Sequence, residues 1–383
     1  MHILVLPSFY PSNSNEGLGS FFRDQVEALA DNKHQVGVVY VGMKSLRQIS
    51  PRNLVKNYFQ FVKVEEKNWI EFRVKGWKIP GLVGEKMWLY LSQKVIDKYI
   101  EQFGNPDVIH VHNTFSGGLL ALKNRKKNGT NYVITEHDSG FLFGSFTPRK
   151  MLQISDVYSN SFQVLSVSES LKRAMNKVTP KVDIKVVANM VDINVFKPKR
   201  KSASSVSPSF LAVGNLTKNK NHSLLIKAFY EVSKVHSDVS LVICGAGPEK
   251  LPLVKLIKRF GLEDRIQLKG FLKRRDLIEK FQNADCLVHT SNVETFGVVF
   301  IEAIACGLPF ISTNSGGAQD IFQEGMGYLV EKDNVNELVE AMLFFLERKN
   351  KFKREDLRKI AVDTYSKRRV YEDLIANLEK GPS

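Results

Sequence analysis

The 383-residue sequence predicts an α/β protein made of two doubly wound parallel-sheet domains. Three observations predict it. Strand-like apolar runs alternate with helical patterns along most of the chain, as βαβ units require. Two stretches, residues 2–30 and 210–235, open alike with a strand, a glycine-bearing loop and a helix. Between them, residues 197–208 (KPKRKSASSVSP) are charged and serine-rich with almost no apolar content, the composition of a linker. This places a first domain at 1–198, a linker at 199–208, a second domain at 209–365 and a terminal helical segment at 366–383.

Composition narrows the class. Hydrophobic residues make up 43% and charged residues 25%, the balance of a soluble globular protein. Cys244, Cys286 and Cys306 lie in apolar surroundings, and an odd count without paired spacing argues against a disulfide framework or a zinc site. A reducing, cytoplasmic compartment is expected. No run of about 18 apolar residues exists to cross a membrane. The apolar start, residues 1–7, is too short for a signal peptide and lacks its basic flank, so it reads as a first strand. The net charge is +15, with 28 Lys and Arg against 17 Asp and Glu up to Arg200. A basic first half suits an anionic partner, either nucleic acid or a phospholipid surface, although charge alone names neither.

In the first domain, residues 2–6 read as a strand, followed by a polar loop carrying Gly17 and Gly19 where a backbone can approach a ligand. A helix is predicted over 20–30, with Phe21, Phe22, Val26 and Leu29 on one face, then a strand over 36–41. Residues 44–100 interleave Lys44, Arg47, Arg52, Lys56, Lys63 and Lys67 with Leu54, Tyr58, Phe59, Phe61 and Trp69, before a helical pattern at 81–100. Such a segment can lie on an anionic membrane. Equally, its aromatics can be core and its lysines a solvated face. Strands follow at 107–112, 132–135, 163–167 and 184–188, with Ser168-Glu169-Ser170 capping the helix between the last two. His137 stands directly after the strand at 132–135, at the edge where open sheets bind ligands. An imidazole there can donate a hydrogen bond to a ligand hydroxyl.

In the second domain, strands are predicted at 210–213, 241–244, 266–269, 310–312 and 328–330, with helices at 223–235, 276–283, 335–347 and over much of 351–378. The most informative stretch is residues 291–317, SNVETFGVVFIEAIACGLPFISTNSGG. It follows a buried strand centred on 286–288 and forms a loop, a Phe296-Gly297 turn and a helix over 298–305, which Gly307 and Pro309 stop. A helix N-terminus near Gly297 offers unpaired N–H groups to phosphate. Glu302, a turn or more into that helix, would repel phosphate but can accept two hydrogen bonds from ribose hydroxyls. Glu294, in the loop, can hold a sugar hydroxyl beyond the diphosphate. For an arbitrary pair of glutamates at this spacing, two solvated carboxylates would be the ordinary reading.

The pattern E-x-F-G-x-x-x-x-E-A, then G-x-P and a Gly-Gly loop, resembles the donor-site signature of retaining glycosyltransferases of family 4. Other segments fit the resemblance. Thr135-Glu136-His137 is similar to the position whose histidine contacts the transferred sugar. Asn189-Met190-Val191-Asp192 with Phe196 and Pro198 is similar to an N-G-V-D…F…P segment, with Met190 in place of the glycine. Residues 214–221 are similar to G-R-L-x-x-x-K-G, in which Lys220 matches the lysine that grips the donor diphosphate. Asn215 stands where the arginine is expected and Asn221 where the glycine is. Gly245-Ala246-Gly247-Pro248 matches the family's G-x-G-P turn.

The resemblance implies two Rossmann-like domains in the glycosyltransferase B-type (GT-B) fold, with the donor in the cleft and the last helix crossing back onto the first domain. It implies sugar transfer from a UDP- or GDP-sugar with retention, to a polysaccharide or lipid-linked glycan acceptor of surface glycan synthesis. His137, Glu294 and Lys220 are the expected catalytic residues. Gly17, Gly19, Gly214, Asn215, Gly245, Gly247, Thr295, Phe296, Gly297, Val298 and Glu302 are the expected donor-binding residues. No D-x-D motif stands at a strand end, so no metal and no cofactor are expected beyond the donor. Peripheral contact with the inner face of an anionic membrane is a possible partner interaction, and no nucleic-acid motif is present. The alternatives are a nucleotide-sugar epimerase or phosphorylase on the same fold, or a non-catalytic scaffold or basic membrane- or nucleic-acid-binding protein, to which Asn215 gives some footing.

Overall fold

The structure, a computed structural model, describes residues 1–11, 19–45, 59–199 and 207–379. Gly17, most of the basic stretch before residue 58 and most of the linker therefore lie outside the described residues. The chain divides into two compact units. The first comprises Met1–Val167, Lys172–Val187 and Tyr371–Ser383, and the second Ser168–Leu171 and Ala188–Val370.

The first unit is built on strands β1 (His2–Leu6), β2 (Gln35–Ser45), β3 (Phe61–Glu65), β4 (Trp69–Lys78), β5 (Val108–His112), β6 (Asn131–Glu136), β7 (Gln163–Ser166) and β8 (Ile184–Val186). They form one sheet in the order β3-β4-β2-β1-β5-β6-β7-β8. Every pairing is parallel except β3 with β4. Strand order reverses between β1 and β5, and ligands of such sheets bind at the carboxyl ends there. Ile3, Leu4, Val5, Ile109 and Val111 are fully buried, as strands covered on both faces must be.

The edge strand β3 and its neighbour β4 are absent from the sequence expectations. Glu71 hides their alternation, because it occupies a fully buried position in β4. Its carboxylate is satisfied there by Trp69 Nε1 at 2.8 Å and by the Arg73 guanidinium. Trp69, Phe72 and Tyr99 are core, as the packing reading expects, whereas Phe59, Val62 and Tyr90 are exposed. Helix Pro148–Ser159 was also missed, although Thr147 caps it and Pro148 opens it. Asn113–Gly118 forms a π-helical turn directly after β5.

The second unit holds β9 (Ser209–Val213), β10 (Ser240–Cys244), β11 (Ile266–Gly270), β12 (Cys286–His289), β13 (Phe310–Thr313) and β14 (Gly327–Val330), ordered β11-β10-β9-β12-β13-β14 and parallel throughout. The order reverses between β9 and β12. Phe210, Leu225, Phe229, Leu241, Ile243, Val288, Ile311 and Phe345 belong to one buried cluster that fixes this sheet against its helices. Each such side chain contributes about 1.5–3 kcal/mol by leaving water. Helix Val298–Ala305 buries Phe300, Ile301, Ala303, Ile304 and Ala305, so it is apolar almost all round.

Several local expectations change. Met190 is buried and is not among the positive-φ residues, so no glycine is required at that turn. The final segment is two helices, Arg354–Tyr365 and Lys367–Leu378, broken where Ser366 adopts an extended backbone. Residues 188–199 group with the second unit, and the terminal stretch from Tyr371 groups with the first. Among the described residues, no helix is long and apolar enough to cross a membrane.

Candidate functional site

The second unit concentrates its polar chemistry where the strand order reverses. A loop leaves β9 at Gly214 and ends in a single 3-10 turn, Lys218–Lys220. Asn221 follows with φ +46 and starts helix His222–Val235. Across from it, the loop leaving β12 carries Ser291 to Gly297. Asn219 ties the two loops together. Its side chain donates to Val293 O at 2.9 Å and accepts from Val293 N at 3.1 Å, while its carbonyl accepts from Asn292 N at 2.8 Å. Thr290 Oγ1 donates to the carbonyls of Lys220 and Asn221.

This scaffold brings Lys220 and Glu294 together, 74 residues apart in sequence, with Nζ 2.5 Å from Oε2. The same carboxylate oxygen lies 3.1 Å from His289 Nε2, which is 2.8 Å from Ser291 Oγ. Burial on its own would raise the Glu294 carboxyl, but the Lys220 ammonium and then His289 hold it down at about 2. His289 is pushed below its ordinary value by burial and by Lys220, so it is neutral near pH 7. Lys220 and Glu294 were expected to reach separate parts of a donor, and here they pair with each other. His289 and Ser291 were missed because nothing in the sequence marks a buried strand-end histidine as a carboxylate partner.

Gly297 has φ +85, and helix Val298–Ala305 begins there without a side-chain cap, leaving its first N–H groups available to an anion. Phe296 is buried, while Thr295 and Val298 are half-buried. Glu302 is also half-buried, the one ionisable residue of an otherwise apolar helix. Asn215 is exposed, and its carbonyl accepts from Thr217 N at 2.9 Å. Gly245 and Gly247, expected to admit a donor, have a nearer reason to be glycine. A Cβ would stand 1.8 Å from Gly214 O in the first case and 2.3 Å from Leu216 O in the second. The β9 and β10 loops are laced this closely by Gly214 N to Cys244 O and Leu216 N to Ala246 O.

The first unit has its own cluster at the β1/β5 reversal. Gly19, with φ +74, opens helix Ser20–Asp31 after β1. His112 ends β5, and Ser8, just past β1, donates its hydroxyl to the His112 carbonyl. His137 follows β6, with its Nε2 3.2 Å from His112 Nδ1. The rings of Phe21 and Phe22 lie 5.2 and 4.9 Å from that of His137. Burial pushes His137 and His110 down to about 3 and His112 well below its ordinary value, so all three are neutral near pH 7. Glu136, fully buried, accepts from Thr114, Tyr158 and the backbone N–H groups of His137 and Asp138, which fixes the chain at the histidine. Burial raises its carboxyl above the ordinary range. Sequence reasoning selected His137 and missed His112 and Glu136, since apolar runs around both made them look like strand interior.

Comparison with known proteins covers both units. Residues 16–195 match the family Glycosyltransferase Family 4, and residues 196–363 match Glycosyl transferases group 1. The chain is 30% identical over 254 residues to N-acetyl-alpha-D-glucosaminyl L-malate synthase of Bacillus anthracis, covering 63% of this chain and 65% of that protein. It is 27% identical over 250 residues to the phosphatidylinositol N-acetylglucosaminyltransferase GPI3 subunit of Saccharomyces cerevisiae, covering 61% of this chain and 54% of that protein. The matched region thus spans between about half and two thirds of these relatives. The solved structure of Anabaena HepE in complex with UDP has a TM-score of 0.74 to it, at 19% identity and over the whole of both chains. With both halves matched and the GT-B architecture present, this chain belongs to the glycosyltransferases of family 4.

Proposed function

We propose that the protein transfers a sugar, with retention, from a nucleotide-sugar to a glycan or lipid-linked acceptor in surface glycan synthesis. The observation that carries the reading is the grouping of Lys220, Glu294 and the uncapped start of helix Val298–Ala305 at the reversal of the second sheet. Lys220 and the helix N–H groups offer positive charge to a diphosphate, and Glu302 offers a carboxylate to ribose hydroxyls. The named activities of the relatives and the UDP held by HepE support a nucleoside-diphosphate donor.

In this mechanism the bond from the anomeric carbon to the diphosphate breaks, and the acceptor oxygen attacks on the same face. The departing diphosphate takes the acceptor's proton. No residue need form a covalent intermediate. The chain's part is to stabilise charge at the diphosphate through Lys220, to orient the sugar through Glu294 and to donate to a sugar hydroxyl through His137. Neither a metal nor a cofactor is required by this scheme.

One observation favours a membrane-borne acceptor. Val83, Phe143, Met151 and Leu152 are exposed apolar residues of the first unit, set among exposed Lys86, Arg149 and Lys150. The Arg149–Glu85 ion pair at 3.5 Å joins helix Gly81–Phe103 to helix Pro148–Ser159, so Val83 lies on an element that neighbours the one carrying Met151 and Leu152. Exposed apolar side chains on elements that also expose cations suit an anionic lipid surface.

The test is thermal stability against a panel of nucleoside diphosphates and nucleotide-sugars. A ligand that binds only the folded state raises the melting temperature. A rise with one base, lost in Glu302→Ala, is the expected result. No rise with any of them would overturn the reading in favour of a non-catalytic member of the fold.

A further inference from the structure

We infer that His112 is a positioning residue that fixes the ring proton of His137 on Nδ1, so that His137 meets its substrate as a hydrogen-bond donor. This rests on the reading of His137 as the group that touches the transferred sugar. The planes of the two rings are tilted by 50°, with His112 Nδ1 3.2 Å from His137 Nε2. Both are neutral near pH 7, so one nitrogen must donate and the other accept.

The choice between the two arrangements lies in the other nitrogen of His112. His112 Nε2 is buried and has no hydrogen-bond partner among the described residues. Were His137 the donor, the proton of His112 would sit on that Nε2 as an orphaned, buried N–H. With His112 as the donor, Nε2 is only an unshared lone pair, and buried acceptors tolerate this better than buried donors do. His112 cannot turn its ring to escape. It is fully buried, with the Phe22 ring centroid 4.3 Å away and that of His110 4.4 Å away. His110 is itself held through Nε2 by Thr135 Oγ1 at 2.9 Å.

His137 Nε2 therefore accepts, and its proton is on Nδ1. The ring is carried by a clamped backbone. His137 N donates to Asn113 Oδ1 at 2.8 Å and to Glu136 Oε1 at 3.0 Å, with Asn113 itself at φ +70. His137 Nδ1 takes no partner among the described residues, and the residue is half-buried. The donor so presented suits an oxygen of a sugar hydroxyl. Free histidine favours the proton on Nε2, so the arrangement has a distinct signature.

The experiment uses the full chain with its eight histidines labelled with ¹⁵N in the ring, and reads each tautomer from the two-bond ¹H–¹⁵N correlation pattern at pH 7.5. His137→Gln identifies the signal of His137 by its loss. The wild-type protein is expected to show His137 protonated on Nδ1, and His112→Phe is expected to move that proton wholly or partly to Nε2. In the same variant turnover should fall about tenfold, the worth of one hydrogen bond, with the nucleotide-induced rise in melting temperature retained. A wild-type His137 protonated on Nε2 would overturn the inference, and that measurement needs no variant to fold. So would a His112→Phe protein in which Nδ1 keeps the proton. The tautomer is read without substrate, so failure of the glycosyltransferase reading would appear separately, as absent nucleotide binding.

Discussion

Glu294→Gln is expected to tighten nucleoside-diphosphate binding while lowering turnover, a sign opposite to that of most active-site substitutions. The reason is the pairing of Lys220 with Glu294. To grip a diphosphate, the Lys220 ammonium must give up or share an anion 2.5 Å away, in a pair whose side chains are only 20% and 15% exposed. Glu294 stands at about 2 against an ordinary 4.5, and each unit is worth about 1.4 kcal/mol, so its two partners stabilise the anion by about 3 kcal/mol beyond the penalty of burial. Assigning between a third and two thirds of that to Lys220 gives about 1–2 kcal/mol, a factor of roughly 5 to 30 in affinity once the anion is gone. Titration calorimetry with UDP and GDP would measure it, with Lys220→Met as the control that must weaken binding. Weaker binding by Glu294→Gln, with Lys220→Met also weakening it, would show that the pair assists the diphosphate rather than competing with it. That result would refute the reasoning.

The same carboxylate gives a pH prediction. Because the folded protein holds Glu294 below its unfolded value, it adds stability above about pH 4.5 that fades as pH falls towards about 2. Glu294→Gln should lack that contribution. The three tryptophans, Trp69, Trp77 and Trp88, lie in the first unit, so hydrogen exchange of second-unit peptides is the readout. Gly297→Ala should destabilise the start of helix Val298–Ala305 by about 1–3 kcal/mol, since φ is +85 and a Cβ would stand 2.5 Å from the Phe300 ring. Faster exchange confined to residues 294–305 would check it. Vesicle binding should need anionic lipid, fade as salt rises and weaken in Leu152→Asp; insensitivity to all three would leave that surface as ordinary solvent-facing side chains.

By itself the sequence determined the fold class and the location of the loops that carry Lys220 and Glu294. Buried parallel strands must be almost wholly apolar, and their helices must turn one stripe inward, so β1, β5, β9, β12 and helix Val298–Ala305 are legible as patterns. The spacing of Glu294, Gly297 and Glu302 is likewise local, set within one loop and one helix. The chain could not show β3 and β4, because the buried Glu71 breaks the alternation and its partners, Trp69 and Arg73, look like members of a basic aromatic stretch. Nor could it show that Lys220 and Glu294 pair, or that His112 and His137 share a hydrogen bond across 25 residues. Only the tertiary structure decided those contacts. They depend on which strands become neighbours, β9 beside β12 where the order of the second sheet reverses and β5 beside β6 in the first sheet. They depend also on surroundings drawn from distant parts of the chain: burial keeps three histidines neutral, while Lys220 and His289 keep the buried Glu294 charged against that same penalty.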